Sequence, residues 1–321
     1  MSPRLELALQ NGLSLSQPLT VICPVPEHDL STLPPGAQVV QPFKPFHDCF
    51  AAQGFDTVPE AKNPCQDAIV FLPRAKALAR AMIQRACSRA AGVVVVDGAK
   101  TDGVDSILKD VRKRIAVEGP LSKAHGKIFW FQANAAALED WAAPATQKVG
   151  DFQTAPGVFS ADGVDPASAM LSNVLPAKLG ARVADLGAGW GYLSAEILKR
   201  DDVKSLHLVE ADHAALTCAR RNILDSRAQF YWADAVKWTA PEPIDTVVMN
   251  PPFHTSRSAD PALGQGFIVA AARNLTRNGT LWMVANRHLP YETTLNEHFA
   301  QVTEIAGDNR FKVLQASRPR R

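Results

Sequence analysis

The stretch RVADLGAGWG (182–191) constrains the fold most: a short apolar strand stops in three glycines spaced G-x-G-x-G, and a helical pattern begins at once. Glycine is the residue that lets a strand turn sharply into a helix and lets backbone approach a ligand closely. The same alternation continues to the carboxyl end. Strands are predicted at 182–186, 206–210, 229–232, 244–249 and 280–285, and helices at 191–199, 212–224, 265–275 and 291–300. The chain closes with VTEIAGDNRFKVLQA, whose two β-like runs around Gly307, Asp308 and Asn309 predict an antiparallel hairpin. The pattern is that of an α/β, doubly wound, seven-stranded sheet in which only the last strand is reversed.

With 321 residues the chain is long enough for two domains. The first 140 residues repeat the theme more weakly: QDAIVFLPRAK (66–76) can be laid on IDTVVMNPPFH (244–254), setting Asp67 on Asp245 and Leu72 on Asn250. Downstream, 92–100 falls on 279–287. An internal duplication follows, with residues 1–145 as a degenerate copy and 146–321 as the copy that keeps the polar residues. Where the second copy has DLGAGWG, the first has VICPVP (21–26), so no cofactor loop is expected there. The Ala-rich segment 133–155 reads as the connection between halves.

Lys and Arg (34) nearly balance Asp and Glu (32), so any nucleic-acid contact must come from local patches. Five cysteines (Cys23, Cys49, Cys65, Cys87, Cys218) without a CxxC pair, and eight histidines without HxxxH spacing, give no case for a disulfide framework or a metal. The strongest apolar run, AGVVVVDGA, is too short to span a bilayer, and a cytoplasmic protein is expected. Two fused halves favour a monomer.

Several residues gather around the glycine loop. Asp185 opens it, Gly187, Ala188, Gly189 and Gly191 form it, and Glu210 ends the next strand, where a carboxylate can accept from both hydroxyls of a ribose. Asp234, with Ala235, follows the third strand and could accept from an adenine amine, and Asn250, after the fourth strand, is a further candidate for the cofactor. The plainer role for Asp234 is a turn or cap. Glycines alone also serve packing, so the combination carries the nucleoside reading.

The fourth strand ends in NPPF, beside the cofactor crevice of such a sheet. Two prolines fix the backbone and leave the carbonyls of Asn250 and Pro251 without local donors. Acceptors suit an exocyclic amine: one hydrogen to the Asn250 side-chain oxygen and one to the Pro251 carbonyl would orient it and favour a pyramidal nitrogen. Pro252 stiffens the bend, and Phe253 offers an apolar face for stacking a base, worth about 1–3 kcal/mol. Read without the glycine loop, NPP is a rigid turn.

Together these residues resemble the cofactor site of class I S-adenosylmethionine-dependent methyltransferases, and NPPF is similar to the mark of those that methylate amino groups. PGVFSADGVDPAS (156–168), NPPFH, VANRHLPYETTL (284–295) and RFKVLQA (310–316) further resemble the bacterial ribosomal RNA guanine-N(2) methyltransferases, above all the small subunit methyltransferase C family. The resemblance implies two tandem Rossmann-like methyltransferase domains, the first (1–145) without its cofactor site and serving to bind RNA or to stabilise, the second (146–321) catalytic. It implies S-adenosyl-L-methionine as cofactor, and ribosomal RNA or an assembled subunit as partner. Large-subunit guanine, adenine-N(6) and protein glutamine methylation remain compatible with NPPF.

In that family PGVFS lies near the methionine end of the cofactor, which makes Phe159 and Ser160 pocket candidates; Asp165 and Pro166 suit a helix cap and first turn. Arg257, Arg287, His288, Arg310 and Lys312 are candidates for RNA phosphates, and His254 for the base. Tyr291 is assigned to packing.

Overall fold

A strand covered on both faces reads as an unbroken apolar run, which is why RVADL and IDTVVM become adjacent central strands. In the computed structural model, which describes residues 3–144, 147–252 and 261–320, the chain divides into two units, Met1–Ala145 and Thr146–Arg321. Each holds its own seven-stranded sheet.

The sheet of the first unit is built from β1 (Leu19–Ile22), β2 (Gln38–Val40), β3 (Asp56–Val58), β4 (Asp67–Phe71), β5 (Val93–Ala99), β6 (Glu118–Lys123) and β7 (Gly126–Gln132), in the order β3-β2-β1-β4-β5-β7-β6. Helices α1 (Pro3–Gln10) and α2 (Lys44–Ala52) bury Leu5, Ala8 and Phe50 against one face. Helices α3 (Lys76–Cys87) and α4 (Val104–Arg112) bury Ile83, Ile107 and Val111 against the other.

In the second unit a short hairpin, β8 (Gln147–Val149) and β9 (Phe152–Thr154), precedes α5 (Pro166–Val174). The main sheet then contains β10 (Arg182–Leu186), β11 (Ser205–Glu210), β12 (Ala228–Trp232), β13 (Ile244–Met249), β14 (Leu275–Asn286), β15 (Phe299–Gly307) and β16 (Phe311–Pro319). Their order, β12-β11-β10-β13-β14-β16-β15, repeats that of the first unit, and only β16 runs against the rest. Helices α5, α6 (Tyr192–Leu198) and α7 (His213–Asn222) cover one face through Leu171, Ile197 and Ala219. Helices α8 (Pro261–Asn274) and α9 (Tyr291–His298) cover the other through Ile268, Tyr291 and Leu295. The fold is the expected pair of tandem methyltransferase-like domains.

The expected strands 182–186 and 244–249 fall on β10 and β13. The strand expected at 280–285 starts earlier, because Leu275 already pairs with Ile244 before a register shift. The segment expected as plain connection contains the hairpin β8–β9. At the last turn the Asp308 carboxylate accepts from the N–H groups of Arg310 and Phe311, both at 2.7 Å, which closes β15 onto β16.

Register makes the duplication legible residue by residue. Asp67 and Asp245 do the same work, accepting backbone N–H groups from neighbouring chain: Asp67 from Ser16 and Val93, Asp245 from Arg182. With these two matched, Ala68 beside Thr20 corresponds to Thr246 beside Val183. Ile22 then stands where Asp185 does, Pro24 and Pro26 where Gly187 and Gly189 do, and Leu72 where Asn250 does. The fifth strands need a correction. Val94 lies beside Ala68 and Thr280 beside Thr246, so Val94 matches Thr280 and the expected overlay of 92–100 on 279–287 is displaced by one residue. In the first unit the His28 ring stacks on Phe71 at 4.0 Å, Gln41 donates to the Pro24 carbonyl, and Leu72 is buried, so apolar and hydrogen-bonded groups fill the end of this sheet.

Candidate active site

The glycine loop joins β10 to α6. Gly187 and Ala188 both donate to the Val209 carbonyl, and Gly189 donates to Glu210 Oε2 at 2.8 Å, which pins the loop to the end of β11. Gly189 has φ +57° and its missing side chain faces open space, the geometry of backbone held bare for a ligand. Gly191 serves packing instead: at φ +95° it starts α6, and a Cβ there would press on Ile223 at 3.2 Å.

Two carboxyl groups stand at this loop. Asp185 is fully buried; Ser194 Oγ donates to its Oδ2 at 2.6 Å, and its Oδ1 has no protein partner. Burial pushes this carboxyl up to about 7, against the hydrogen bonds from Ser194 that lower it. Glu210 is pushed up to about 7 by burial as well, against hydrogen bonds from the Asp212 and Gly189 N–H groups. A buried carboxylate oxygen without a donor is costly unless a ligand completes it.

On the opposite wall lies the PGVFS segment. Trp190 is buried and its Nε1 donates to the Phe159 carbonyl at 2.9 Å. Phe159 itself is 59% exposed, although its neighbour Val158 is buried beside Trp190. Asn222 at the end of α7 ties the rest together: its Nδ2 donates to the carbonyls of Gln153 and Trp190, and its Oδ1 accepts from the Gln153 N–H. One pocket is lined by Phe159, Ser160, Asp165, Ser168, the loop residues 187–190 and Asn250.

Asn250 follows β13 directly. Its Nδ2 donates to Asp165 Oδ2 and to Ser168 Oγ, each at 2.8 Å, while its Oδ1 is buried without a protein partner. Asp165 also caps α5 by accepting from the Ser168 N–H at 2.8 Å, so the expected cap is present and carries a second bond. Pro251 is buried and Pro252 exposed. Phe253, His254 and Arg257 lie outside the described residues.

The remaining candidates separate. Asp234 Oδ1 accepts from the Val236 N–H, the turn geometry, and Ala235 packs in the core. Arg287 pairs with Glu304 and donates to the Asp308 carbonyl. Arg310 is exposed, with its guanidinium over Phe311, and His288 is exposed. Lys312 corrects its expected place at RNA: it is 4% exposed, and its Nζ donates to the Leu289 carbonyl at 2.8 Å and to Glu292 at 2.5 Å. An ammonium held inside the fold by an acceptor and a counter-ion is not presented to a phosphate. Tyr291 is buried in the core as expected.

Sequence reasoning missed Ser168, Trp190, Ser194 and Asn222. Ser168 was visible as the third residue after a capping Asp and Trp190 as a large residue inside a glycine loop, but neither long-range bond has a local signature. Among the described residues no cluster of His, Cys, Asp or Glu is arranged to hold a metal, and no helix is long and apolar enough to cross a membrane.

The family model of the methyltransferase small domain matches residues 150–315. A ribosomal RNA small subunit methyltransferase C of Shewanella halifaxensis is 30% identical, over 81% of this chain and 77% of its own. One from Shewanella sp. strain MR-4 is 31% identical, over 76% of this chain and 75% of its own. Among solved structures, the T. thermophilus 16S rRNA N2 G1207 methyltransferase in complex with AdoMet and guanosine superposes with a TM-score of 0.82 at 24% identity, covering 99% of this chain and 92% of that one.

Proposed function

The chain belongs to the methyltransferase small-domain family, with relatives named ribosomal RNA small subunit methyltransferase C, and from that premise we propose that it methylates the exocyclic N(2) amine of a guanine in small-subunit ribosomal RNA, using S-adenosyl-L-methionine. The relatives' names support the RNA, and the guanosine complex of the similar T. thermophilus enzyme supports the base. The observation that carries the chemistry is Asn250. Both protons of its amide nitrogen are bound within the protein, and its buried oxygen is left as an acceptor.

The residues present fit the cofactor. Gly189 keeps a bare backbone at the pocket, Glu210 is placed at a strand end to take the ribose hydroxyls, and the unpartnered Asp185 Oδ1 would take the ammonium of the methionine end. Phe159 would cover that end with an apolar face. When bound, S-adenosylmethionine supplies an electrophilic methyl on a sulfonium.

The chain's own part is positioning. Asn250 Oδ1 accepts one hydrogen of the guanine amine and the Pro251 carbonyl the other, which turns the nitrogen lone pair out of conjugation with the ring. Phe253 stacks on the base, which is unstacked first if it lies in a helix. The nitrogen becomes acidic once methylated and loses its proton without a strong base. The first unit, with Leu72 at the position of Asn250 and prolines at the positions of the glycines, holds RNA rather than cofactor. Its exposed Lys109 and Arg112 on α4 suit a phosphate backbone. The enzyme acts as a monomer in the cytoplasm, where its RNA is.

Asn250→Ala tests the reading. Transfer to RNA should fall at least about a hundredfold, with cofactor affinity far less affected, because Asp185, Glu210 and the loop backbone carry the cofactor's main polar contacts in this reading. Undiminished transfer by this variant excludes the acceptor role.

A further inference from the structure

We propose that Asp165 is a positioning residue for the reaction: its carboxylate fixes which way the Asn250 carboxamide faces, so that the oxygen and not the nitrogen meets the guanine amine. The inference rests on the Asn250 reading above and adds what makes that residue work.

An asparagine amide has two orientations of nearly the same shape, related by a half-turn, and only hydrogen bonding separates them. At Asn250 the nitrogen faces Asp165 Oδ2 and Ser168 Oγ, both at 2.8 Å, and Asp165 Oδ2 also accepts the Ser168 N–H. A serine hydroxyl can donate or accept, so Ser168 alone would tolerate either orientation. A carboxylate only accepts. Turned around, Asn250 would set its oxygen against the Asp165 oxygen and point two donors at an amine that is itself a donor. The carboxylate therefore selects the productive orientation before substrate arrives.

Asp165 and Ser168 come from the first turn of α5, 85 and 82 residues before Asn250. The helix start is thus a rigid platform: Asp165 in extended backbone at the cap, Pro166 next, Ser168 buried at the third position. A cap needs only a side-chain acceptor, and Asn serves there about as well as Asp. The cap acceptor and the atom facing Asn250 are the same oxygen, Oδ2; a carboxylate presents an acceptor there whichever way it turns, whereas an asparagine can present its nitrogen.

The test uses the full-length protein, with small subunits and their naked RNA from cells lacking it as substrate, and reads kcat, KM, cofactor affinity and unfolding midpoint for Asp165→Asn, Asn250→Ala, Asn250→Asp and the double variant carrying Asp165→Asn with Asn250→Asp. In Asp165→Asn the new amide can donate to the Asn250 oxygen and stabilise the wrong orientation. We expect kcat to fall about 10- to 100-fold, with cofactor affinity unchanged. Because Oδ2 is also the cap acceptor, a nitrogen at that position gives up the Ser168 N–H bond, and the unfolding midpoint should drop by a lost cap in Asp165→Asn and in the double variant alike, although kcat recovers only in the latter. In the double variant the amide at 165 donates to one oxygen of the new carboxylate and leaves the other as an acceptor, so kcat should recover at least about tenfold over Asp165→Asn. Asn250→Asp alone, with two carboxylates face to face, should be less active than the double variant.

The outcomes are distinct. Wild-type transfer by Asn250→Ala overturns the acceptor reading and this inference with it. Loss in Asn250→Ala together with wild-type kcat in Asp165→Asn, or a double variant no better than Asp165→Asn, overturns the inference alone.

Discussion

Asp185→Asn should make the free protein more stable and a worse binder. The carboxyl is fully buried, one oxygen has no partner, and burial raises it from an ordinary 3.8 to about 7. A group raised in the folded state binds its proton more tightly there than in the unfolded chain. Its contribution to stability is complete below about pH 4 and is lost as pH rises toward 7. A difference of roughly three in pKa, at about 1.36 kcal/mol for each whole unit, sets a ceiling near ~4 kcal/mol, and water entry around the ionised group brings the expected loss to about 2 kcal/mol. Asparagine keeps an acceptor for Ser194 and carries no charge. The variant should therefore be about 2 kcal/mol more stable than wild type at pH 8, and the gap should close toward pH 4. Denaturant unfolding across this range, followed by tryptophan fluorescence with Trp190 reporting on the second unit, gives the comparison. Cofactor affinity, measured by calorimetry at pH 8, should fall at least about tenfold because the ammonium loses its counter-charge. Equal stability at pH 8, or a gap that widens toward pH 4, refutes the reasoning.

If the cofactor requires Asp185 and Glu210 ionised, then below about pH 7, where both are largely protonated, binding must release protons and affinity must rise with pH. Calorimetry at pH 6 in two buffers of different ionisation enthalpy should show release of between one and two protons, reduced in Glu210→Gln; identical heats in both buffers contradict this. Asn222→Ala removes three hydrogen bonds that join α7 to the β9 hairpin and the glycine loop, and should cost about 1–3 kcal/mol on thermal unfolding. A midpoint equal to wild type would show that these bonds are replaced by water. Lys109→Glu with Arg112→Glu, on the exposed side of α4, should weaken RNA binding and flatten its salt dependence by about 0.7 to 0.9 in log–log slope for each phosphate no longer neutralised, without changing cofactor affinity. An unchanged slope places the RNA elsewhere.

Most of the second unit was legible because its strands are short apolar runs cut by Gly, Asp or Pro, so β10 and β13 end where their sequences say. The reversed hairpin was legible from turn residues around Asp308, whose carboxylate does close the turn. Long-range polar pairing was not. Asp165 looks like a cap and is one, yet its bond to Asn250 spans 85 residues and leaves no local trace. Lys312 sits in a run that reads as an exposed basic strand end; burial between Leu289 and Glu292 depends on where α9 packs. The hairpin β8–β9 was hidden by small and polar residues that read as linker. The duplication was visible in its anchors, but a parallel strand of repeated valines, VVVV at 93–96, does not fix its own register, and the overlay slipped by one.

The central claim is that this chain places a methyl on a guanine amine of small-subunit RNA. Nucleoside identification and mass mapping of ribosomal RNA, from cells with this protein, without it, and with its Asn250→Ala form, tests that directly. One N(2)-methylguanine in the small-subunit RNA should be present in the first sample and absent from the other two. A methyl that tracks the protein but lies on adenine, on large-subunit RNA or on a protein glutamine, or RNA identical in all three, would contradict the account.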